Sequence, residues 1–227
     1  MQATTETPAH RLADIKKQIA AAAKVARRPA GAINLVAVSK TRSLEEIEPL
    51  ILAGQKSYGE NRVQEAAAKW PALKAAHPGI ELHLIGQLQS NKANEAVALF
   101  DVIHSLDRIS LAMALGKAMR EQGRQIPCFI QVNIGAEEQK GGCAVEALPE
   151  LLAIAREQGV PVTGLMCLPP ADIEPAPFFA LLAELAARHA LPELSMGMSD
   201  DFATAIMLGA THVRIGTALF GERPRAV

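Results

Sequence analysis

Eight short apolar segments, each followed by a stretch that can form a helix, recur along this chain and constrain its fold more than any other feature. The segments are 33–39, 56–59, 81–86, 101–105, 126–133, 161–166, 193–196 and 211–216. Alternating strands and helices predict a parallel sheet, and eight such units in 227 residues fit a closed α/β architecture, the TIM-type (β/α)8 barrel. The alternative is an open doubly wound sheet, but the GxGxxG motif expected after its first strand is absent.

An extra helix precedes the first strand, because Leu12, Ile15 and Ile19 form an apolar stripe at helical spacing. No shift in composition marks a domain boundary in the sequence. We therefore expect a single domain over residues 1–227, with the N-terminal helix inside 1–30 and the barrel over 33–223.

The segment after the first strand shows how its helix is predicted. Ser43, followed three residues later by Glu46, is typical of a capping box at a helix start. Leu44, Ile47 and Ile51 fall on one face of that helix. These three residues form the apolar face of the predicted helix.

Composition and charge exclude several classes of protein. The formal net charge of −1 offers no basic excess for binding nucleic acid. No apolar run reaches the roughly 18 residues of a membrane span, and the N-terminus lacks the apolar core of a secretory signal. The three cysteines show no CxxC spacing, so we expect neither disulfides nor a metal site, and place the chain in the reducing cytoplasm.

The first strand, in the stretch LVAVSKT, is followed by a lysine. Because alternate residues of a strand share a face, Lys40 points the same way as Val36 and Val38. Either the chain has left the core at Lys40 and the lysine is solvated, or an amine stands at the mouth of an apolar enclosure. In the second case the neutral amine is favoured, and it can form a Schiff base with an aldehyde.

The loops after the seventh and eighth strands suggest a phosphate site. Barrel enzymes often bind phosphate there, using glycine and a helix N-terminus. SMGMSDD supplies Ser199, and RIGTALFG supplies Gly216 and Thr217 at a helix start. The alternative is that Ser199 and Thr217 only cap helices.

Arg214 shares a face of the eighth strand with His212 and points into the predicted barrel. A buried guanidinium needs an acceptor, which is either a carboxylate such as Asp200 or Asp201, or a ligand. A reactive lysine, a phosphate site and a partner for a ring nitrogen together are the pattern expected for pyridoxal 5′-phosphate.

Other polar residues near strand ends permit two interpretations each. His83 either lines the cavity or is a core histidine bonded to a carbonyl, and Asn61 either orients a ligand or caps a helix. His104 is expected near the rim, where no GxSxG motif accompanies it, so no hydrolytic site is predicted. Lys140, in the loop after the fifth strand, is expected to be solvated.

These motifs together resemble one family, the pyridoxal-phosphate homeostasis proteins, also called the alanine racemase N-terminal-domain-like family. The matching stretches are AVSKT, YGENRVQE, HLIGQLQSNK, HSLD, QVN, GLM, LSMGMSDDF and VRIGTALFG, in order from about residue 33 to 223. The resemblance implies a fold-type III barrel that binds pyridoxal 5′-phosphate.

The resemblance also implies roles for individual residues and for the protein. Lys40 would carry the Schiff base, and Arg214 would face the pyridine nitrogen. Ser199, Gly216 and Thr217 would hold the phosphate, while Asn61 and His83 would lie near the ring. No catalytic residue and no metal are implied. The family resembles carriers or buffers of the cofactor in intracellular vitamin B6 homeostasis, with a monomeric state and apo-enzymes that depend on the cofactor as acceptors.

Two enzymatic alternatives stay open at this stage. A racemase of the alanine racemase type needs two acid–base groups on opposite faces of the substrate. In the racemases that this chain resembles, the second group is a tyrosine from a separate β-domain, whereas this sequence ends at Val227 and its sole tyrosine is Tyr58. A barrel aldolase would use Lys40 against a sugar phosphate, but no acid–base partner for it is evident.

Overall fold

The structure is a computed structural model that describes residues 7–221. Residues 1–6 of the predicted N-terminal segment and residues 222–223 of the predicted barrel range lie outside the described residues. The described part of the chain thus runs from Thr7 to Gly221.

Eight parallel strands form a closed barrel in the order in which they occur in the sequence, with the last strand paired to the first. The strands are β1 (Asn34–Val38), β2 (Ser57–Glu60), β3 (Glu81–Leu84), β4 (Val102–Leu106), β5 (Cys128–Val132), β6 (Val162–Cys167), β7 (Glu193–Ser195) and β8 (His212–Ile215). All eight predicted strands are confirmed, and closure between β1 and β8 rules out the open doubly wound sheet.

Helices follow the strands and cover the outside of the barrel. They are α1 (Pro8–Val25), α2 (Leu44–Leu52), α3 (Val63–Ala76), α4 (Ala93–Leu99), α5 (Ile109–Gln122), α6 (Leu148–Glu157), α7 (Ala176–Arg188), α8 (Phe202–Met207) and α9 (Thr217–Phe220). The TIM-type (β/α)8 barrel with an extra N-terminal helix is therefore confirmed.

The extra helix α1 buries the predicted stripe of Leu12, Ile15 and Ile19. It packs mainly against α8 and α9. Just beyond its end, Arg28 donates hydrogen bonds to the carbonyl oxygens of Ile206 and Ala210, at 3.1 and 2.8 Å. The helix is thus attached to the last strand–helix units of the barrel by apolar packing and by a charged donor.

The start of α2 agrees with the capping prediction, but its apolar stripe differs from the predicted one. The backbone N–H of Ser43 donates to Glu46 Oε2 at 2.9 Å, and the helix begins at the next residue. Ile47 and Leu50 are buried, whereas Leu44 is 41% exposed. Of the predicted apolar face, Ile51 is partly buried against the core, whereas Leu44, in the first turn, is exposed.

The core has two layers separated by the barrel wall. Outward-facing strand residues such as Leu35 and Leu82 pack against the helices. Inside the barrel, apolar Val36, Phe129 and Met166 are mixed with buried polar side chains. A polar interior beneath the carboxyl ends of the strands provides hydrogen-bonding groups for a site at that end.

The three cysteines behave as small buried residues, as predicted. Cys128, Cys143 and Cys167 are free and buried, and burial raises the pKa of each thiol to about 12.

Among residues 7–221, no helix combines the length and apolar character that crossing a bilayer requires.

Candidate functional site

A cavity of about 420 Å³ opens at the carboxyl ends of the strands, where barrel sites are found. It is lined by Val38, Lys40, Asn61, Ile85, Gly86, Gln87, Gln131, Gln139, Lys140, Gly141, Leu168, Met198 and Arg214. Three predicted site residues, Lys40, Asn61 and Arg214, lie together on this wall. Its charged lining groups are cationic, so the cavity is suited to an anionic ligand.

Lys40 stands two residues beyond the end of β1 and lines the cavity together with Val38. The side chain therefore lies on the inward face that strand alternation predicts. Within residues 7–221, its amine forms no hydrogen bond or ion pair. A half-buried amine without a partner is available to react with, or to bind, a ligand in the cavity.

The turn that carries Lys40 is held from outside the barrel by a buried ion pair. Lys69 Nζ lies 2.8 Å from Glu60 Oε1 and donates to the carbonyl oxygens of Ser39 and Arg42 at 2.9 and 3.2 Å. Ser39 Oγ also donates to Glu60 Oε1, at 2.7 Å. Thr41, between these anchors, has a φ of 62°, a left-handed conformation that a threonine needs support to keep.

Arg214 is 4% exposed and forms no ion pair with any carboxylate of residues 7–221. Its Nη1 donates to Ser195 Oγ at 2.6 Å and its Nη2 to the carbonyl oxygen of Cys167 at 2.9 Å. The predicted alternative of a direct pair with Asp200 or Asp201 is therefore wrong. Burial lowers the pKa of Arg214, but a guanidinium keeps its charge in proteins, so a positive charge faces the cavity without a direct counter-ion.

The predicted phosphate residues lie on the loops after β7 and β8, beside the cavity. A Cβ at Gly216 would lie 3.4 Å from Val38 Cβ, which places this glycine against the cavity wall. Ser199 is half-buried and Thr217 is exposed at the start of α9, and neither belongs to the lining. The loop after β7 is joined to β8 where Arg214 N donates to Gly197 O at 2.9 Å.

Asn61 and His83 occupy different depths. Asn61 lies on the lining, and Gly86 packs against it so closely that a Cβ would lie 2.3 Å from Asn61 O. His83 is fully buried below the cavity, and its Nδ1 lies 2.9 Å from His104 Nε2 rather than beside a carbonyl. A direct contact of His83 with a ligand stays a prediction.

His104 was predicted near the rim, but it lies inside the barrel. The prediction is wrong because β4 continues to Leu106, which leaves His104 in mid-strand and fully buried. Phe129 stacks on its ring with centroids 4.4 Å apart. His104 therefore supports the site from below.

Sequence reasoning did not assign four polar residues of the lining to the site, namely Gln87, Gln131, Gln139 and Lys140. Lys140 was predicted to be solvated, and this prediction is wrong. Its Nζ lies 2.6 Å from Glu137 Oε2 and donates to Pro169 O at 2.8 Å. Gln131 Nε2 donates to Gly141 O at 3.0 Å. Alternation along β5 could have placed Gln131 inside the barrel, but no local pattern shows that the loop after β5 folds back over the cavity.

The fold and the site define a class, a (β/α)8 barrel in which a lysine after the first strand and an arginine on the last strand face one cavity. Among the described residues, the lysine has no partner and the arginine has no carboxylate partner. Comparison with known proteins narrows that class. The alanine racemase, N-terminal domain family matches residues 11–224. The pyridoxal phosphate homeostasis protein of Aquifex aeolicus is 43% identical over 223 residues, which cover 94% of this chain and 97% of that protein. The chain therefore belongs to the alanine racemase N-terminal domain family, among the pyridoxal phosphate homeostasis proteins.

Solved structures agree with this assignment. The structure of PipY of Synechococcus elongatus with PLP bound is 38% identical, with a TM-score of 0.80, and the match covers 95% of this chain and all of that one (100%). An alanine racemase of Clostridium difficile is only 12% identical, with a TM-score of 0.68 and 57% of its chain covered. That second likeness shows a shared barrel fold and nothing further.

Proposed function

We propose that this protein binds pyridoxal 5′-phosphate reversibly and carries or buffers it within cellular vitamin B6 homeostasis, without robust catalysis. One observation carries the proposal: Lys40 and Arg214, which form no ion pair with any carboxylate of residues 7–221, face the same cavity. The relatives named above, one of which has PLP bound in its structure, support the choice of ligand.

Each site residue takes a role that its position allows. Lys40 would hold the cofactor through a Schiff base, because the cofactor would supply an aldehyde. Arg214 would face the pyridine nitrogen and, as a fixed cation, would disfavour protonation there. Asn61 and His83 lie on the ring side of the site, with Asn61 in contact and His83 below.

The phosphate end of the cofactor is assigned to the loops after β7 and β8. Ser199 offers a hydroxyl, and Gly216 and Thr217 offer backbone N–H groups at the start of α9. The contact of Gly216 with Val38 supports this assignment, because it brings the loop to the wall that also carries Lys40.

The position of Tyr58 favours a carrier over a racemase. This sole tyrosine is fully buried, and its ring lies 5.0 Å from the ring of Trp70 on α3. It therefore lies between the barrel wall and the helices, on the opposite side of β2 from the cavity. Burial also raises the pKa of its hydroxyl, so it cannot act as the second acid–base group that racemisation needs.

The setting follows from the same proposal. The protein acts as a monomer in the cytoplasm. Its free, buried cysteines are compatible with that reducing environment. Its partners are the cofactor and the apo-enzymes that accept it, and neither nucleic acid nor a membrane is required.

The test is the absorption spectrum of the purified protein mixed with pyridoxal phosphate. We expect a band at about 420 nm that borohydride fixes to the peptide containing Lys40, with no racemisation of alanine. Lys40→Ala abolishes the covalent adduct and leaves weak, phosphate-dependent binding. Lys117→Ala, which removes a lysine side chain that is 71% exposed, is the matched control and keeps the wild-type spectrum.

Two results would contradict the proposal. Equal affinity of wild type and Lys40→Ala for the cofactor would exclude the covalent link. Sustained alanine racemisation that disappears in Lys40→Ala would replace the carrier with an enzyme.

A further inference from the structure

A row of hydrogen bonds runs inside the barrel from Arg214 toward the amino ends of the strands. Arg214 Nη1 lies 2.6 Å from Ser195 Oγ, which lies 2.8 Å from His104 Nδ1, and His104 Nε2 lies 2.9 Å from His83 Nδ1. The four side chains are buried, and we call them the interior chain. Beyond its last member, Glu81 Oε2 lies 3.8 Å from His83 Nε2.

The interior chain has one favoured direction. A guanidinium only donates, so Ser195 Oγ accepts from Arg214 and has its single hydrogen left for His104 Nδ1. His104 then carries its hydrogen on Nε2 and donates to His83 Nδ1. His83 then presents Nε2–H toward Glu81, which lies 3.8 Å away, and this atom has no hydrogen-bond partner among the described residues. The reverse order would aim a lone pair of His83 at the Glu81 carboxylate and leave the hydroxyl hydrogen of Ser195 without this acceptor.

The surroundings keep His104 neutral. Burial lowers its pKa well below the usual value, and His83, His212 and Arg214 act in the same direction. Glu81 is the acidic group at the far end, and its pKa is lowered, first of all by the His83 imidazole. Within residues 7–221, His83, His104 and His212 do not form a group able to hold a metal ion.

Neutral partners have a consequence for Arg214. A carboxylate acceptor would orient the guanidinium but would also cancel its charge toward the cavity. Ser195 and the Cys167 carbonyl orient it without a formal charge. The positive charge therefore remains for whatever acceptor occupies the cavity.

We infer that Ser195, His104 and His83 are positioning residues for Arg214, which hold it as a charged donor through a one-directional chain of two Nε2–H imidazoles. The inference rests on the proposed function, because the target of Arg214 is then the ring of the cofactor. None of the three needs to touch the cofactor to affect its binding.

The first test needs no cofactor. Nitrogen chemical shifts of labelled histidines in the full chain report which ring atom carries hydrogen. We expect His83 and His104 to show hydrogen on Nε2 and a bare Nδ1 near neutral pH. Hydrogen on Nδ1 of either ring, or a doubly protonated ring, would overturn the inference even if pyridoxal phosphate binds as proposed.

The second test compares two buried serines. Ser195→Ala is expected to weaken pyridoxal phosphate binding about tenfold, the effect of one lost hydrogen bond to a charged group, and to change the absorption of the bound cofactor. Ser195→Thr, which keeps the hydroxyl, restores both. Ser105→Ala is the control: its hydroxyl is buried on β4 without a hydrogen-bond partner among the described residues. Equal effects of Ser195→Ala and Ser105→Ala on affinity and spectrum would overturn the inference, whereas a wild type that fails to bind the cofactor would instead refute the proposed function.

Discussion

Tyr58 and Trp70 show how much the hydrogen-bond partner of a buried side chain matters. The two rings pack together outside β2, and both side chains are fully buried. Trp70 Nε1 donates to Glu60 Oε1 at 2.9 Å, whereas Tyr58 Oη has no partner among the described residues. Large aromatic rings favour burial, but no local sequence pattern tells which of the two polar atoms finds a partner.

At this scale we predict opposite effects of two aromatic substitutions. Tyr58→Phe removes an unsatisfied buried hydroxyl, so the free energy of unfolding is expected to stay constant or to rise by about 1 kcal/mol. Trp70→Phe deprives Glu60 of a donor and leaves a cavity, so we expect a loss of about 2 kcal/mol or more. Urea unfolding of both variants measures the difference. A Tyr58→Phe variant less stable than Trp70→Phe would show that the tyrosine hydroxyl has a partner.

The turn between β1 and α2 depends on a neighbouring strand and helix. Its sequence, SKTRS, contains no glycine, although Thr41 has a positive φ. Glu60 on β2 and Lys69 on α3 supply the anchors, and both lie outside the turn in sequence. The position of Lys40 is therefore set jointly by β1, β2 and α3.

We predict that Lys69→Met separates stability from function in a defined way. It leaves the carboxylate of Glu60 buried without its cation, which is expected to cost about 3 kcal/mol of unfolding free energy. The double variant Glu60→Gln/Lys69→Met removes both charges and recovers most of that loss. In both variants the turn loses the donor to Ser39 O and Arg42 O, so we expect slower formation of the covalent adduct at Lys40. Unfolding curves and the rate at which the band at about 420 nm appears measure the two effects.

The rate of adduct formation in the double variant tests whether Glu60 and Lys69 hold the turn. Wild-type adduct formation in a stable Glu60→Gln/Lys69→Met protein would mean that the turn keeps its conformation without these anchors.

The closed barrel as a whole encloses polar and titratable groups that an unfolded chain would expose. Burial lowers the pKa of His104 well below its usual value and that of His212 to about 3. Both rings are thus neutral in the folded state at pH values where the unfolded chain binds a proton on each. Folding is therefore linked to the release of protons from the barrel interior.

We predict that the free energy of unfolding falls as pH is lowered from about 6.5 to 5. Each of the two histidines binds its proton in the unfolded state below about pH 6.5 but not in the folded state, which contributes a slope of up to about 1.4 kcal/mol per pH unit. Above pH 6.5, about the usual value for histidine, their contribution is constant. Urea unfolding over this pH range tests the slope. His212→Asn is expected to reduce the slope, and a flat wild-type profile would contradict the prediction.

Local patterns of the sequence were sufficient for the elements and for the inward face of each strand. Periodicity is a property of neighbouring residues, so the eight strands, the stripe of α1 and the orientation of Lys40 all follow from the order of residues along the chain. The depth of a side chain in the barrel and its hydrogen-bond partners do not follow from neighbouring residues. His104 and Ser195 are 91 residues apart, and only closure of the barrel brings them within hydrogen-bonding distance. The sequence alone thus determined a barrel with an inward-facing lysine. The tertiary structure decided which contacts hold the turn of that lysine and which neutral groups orient Arg214. These contacts join strands and loops that are far apart in the chain, so no local pattern predicts them.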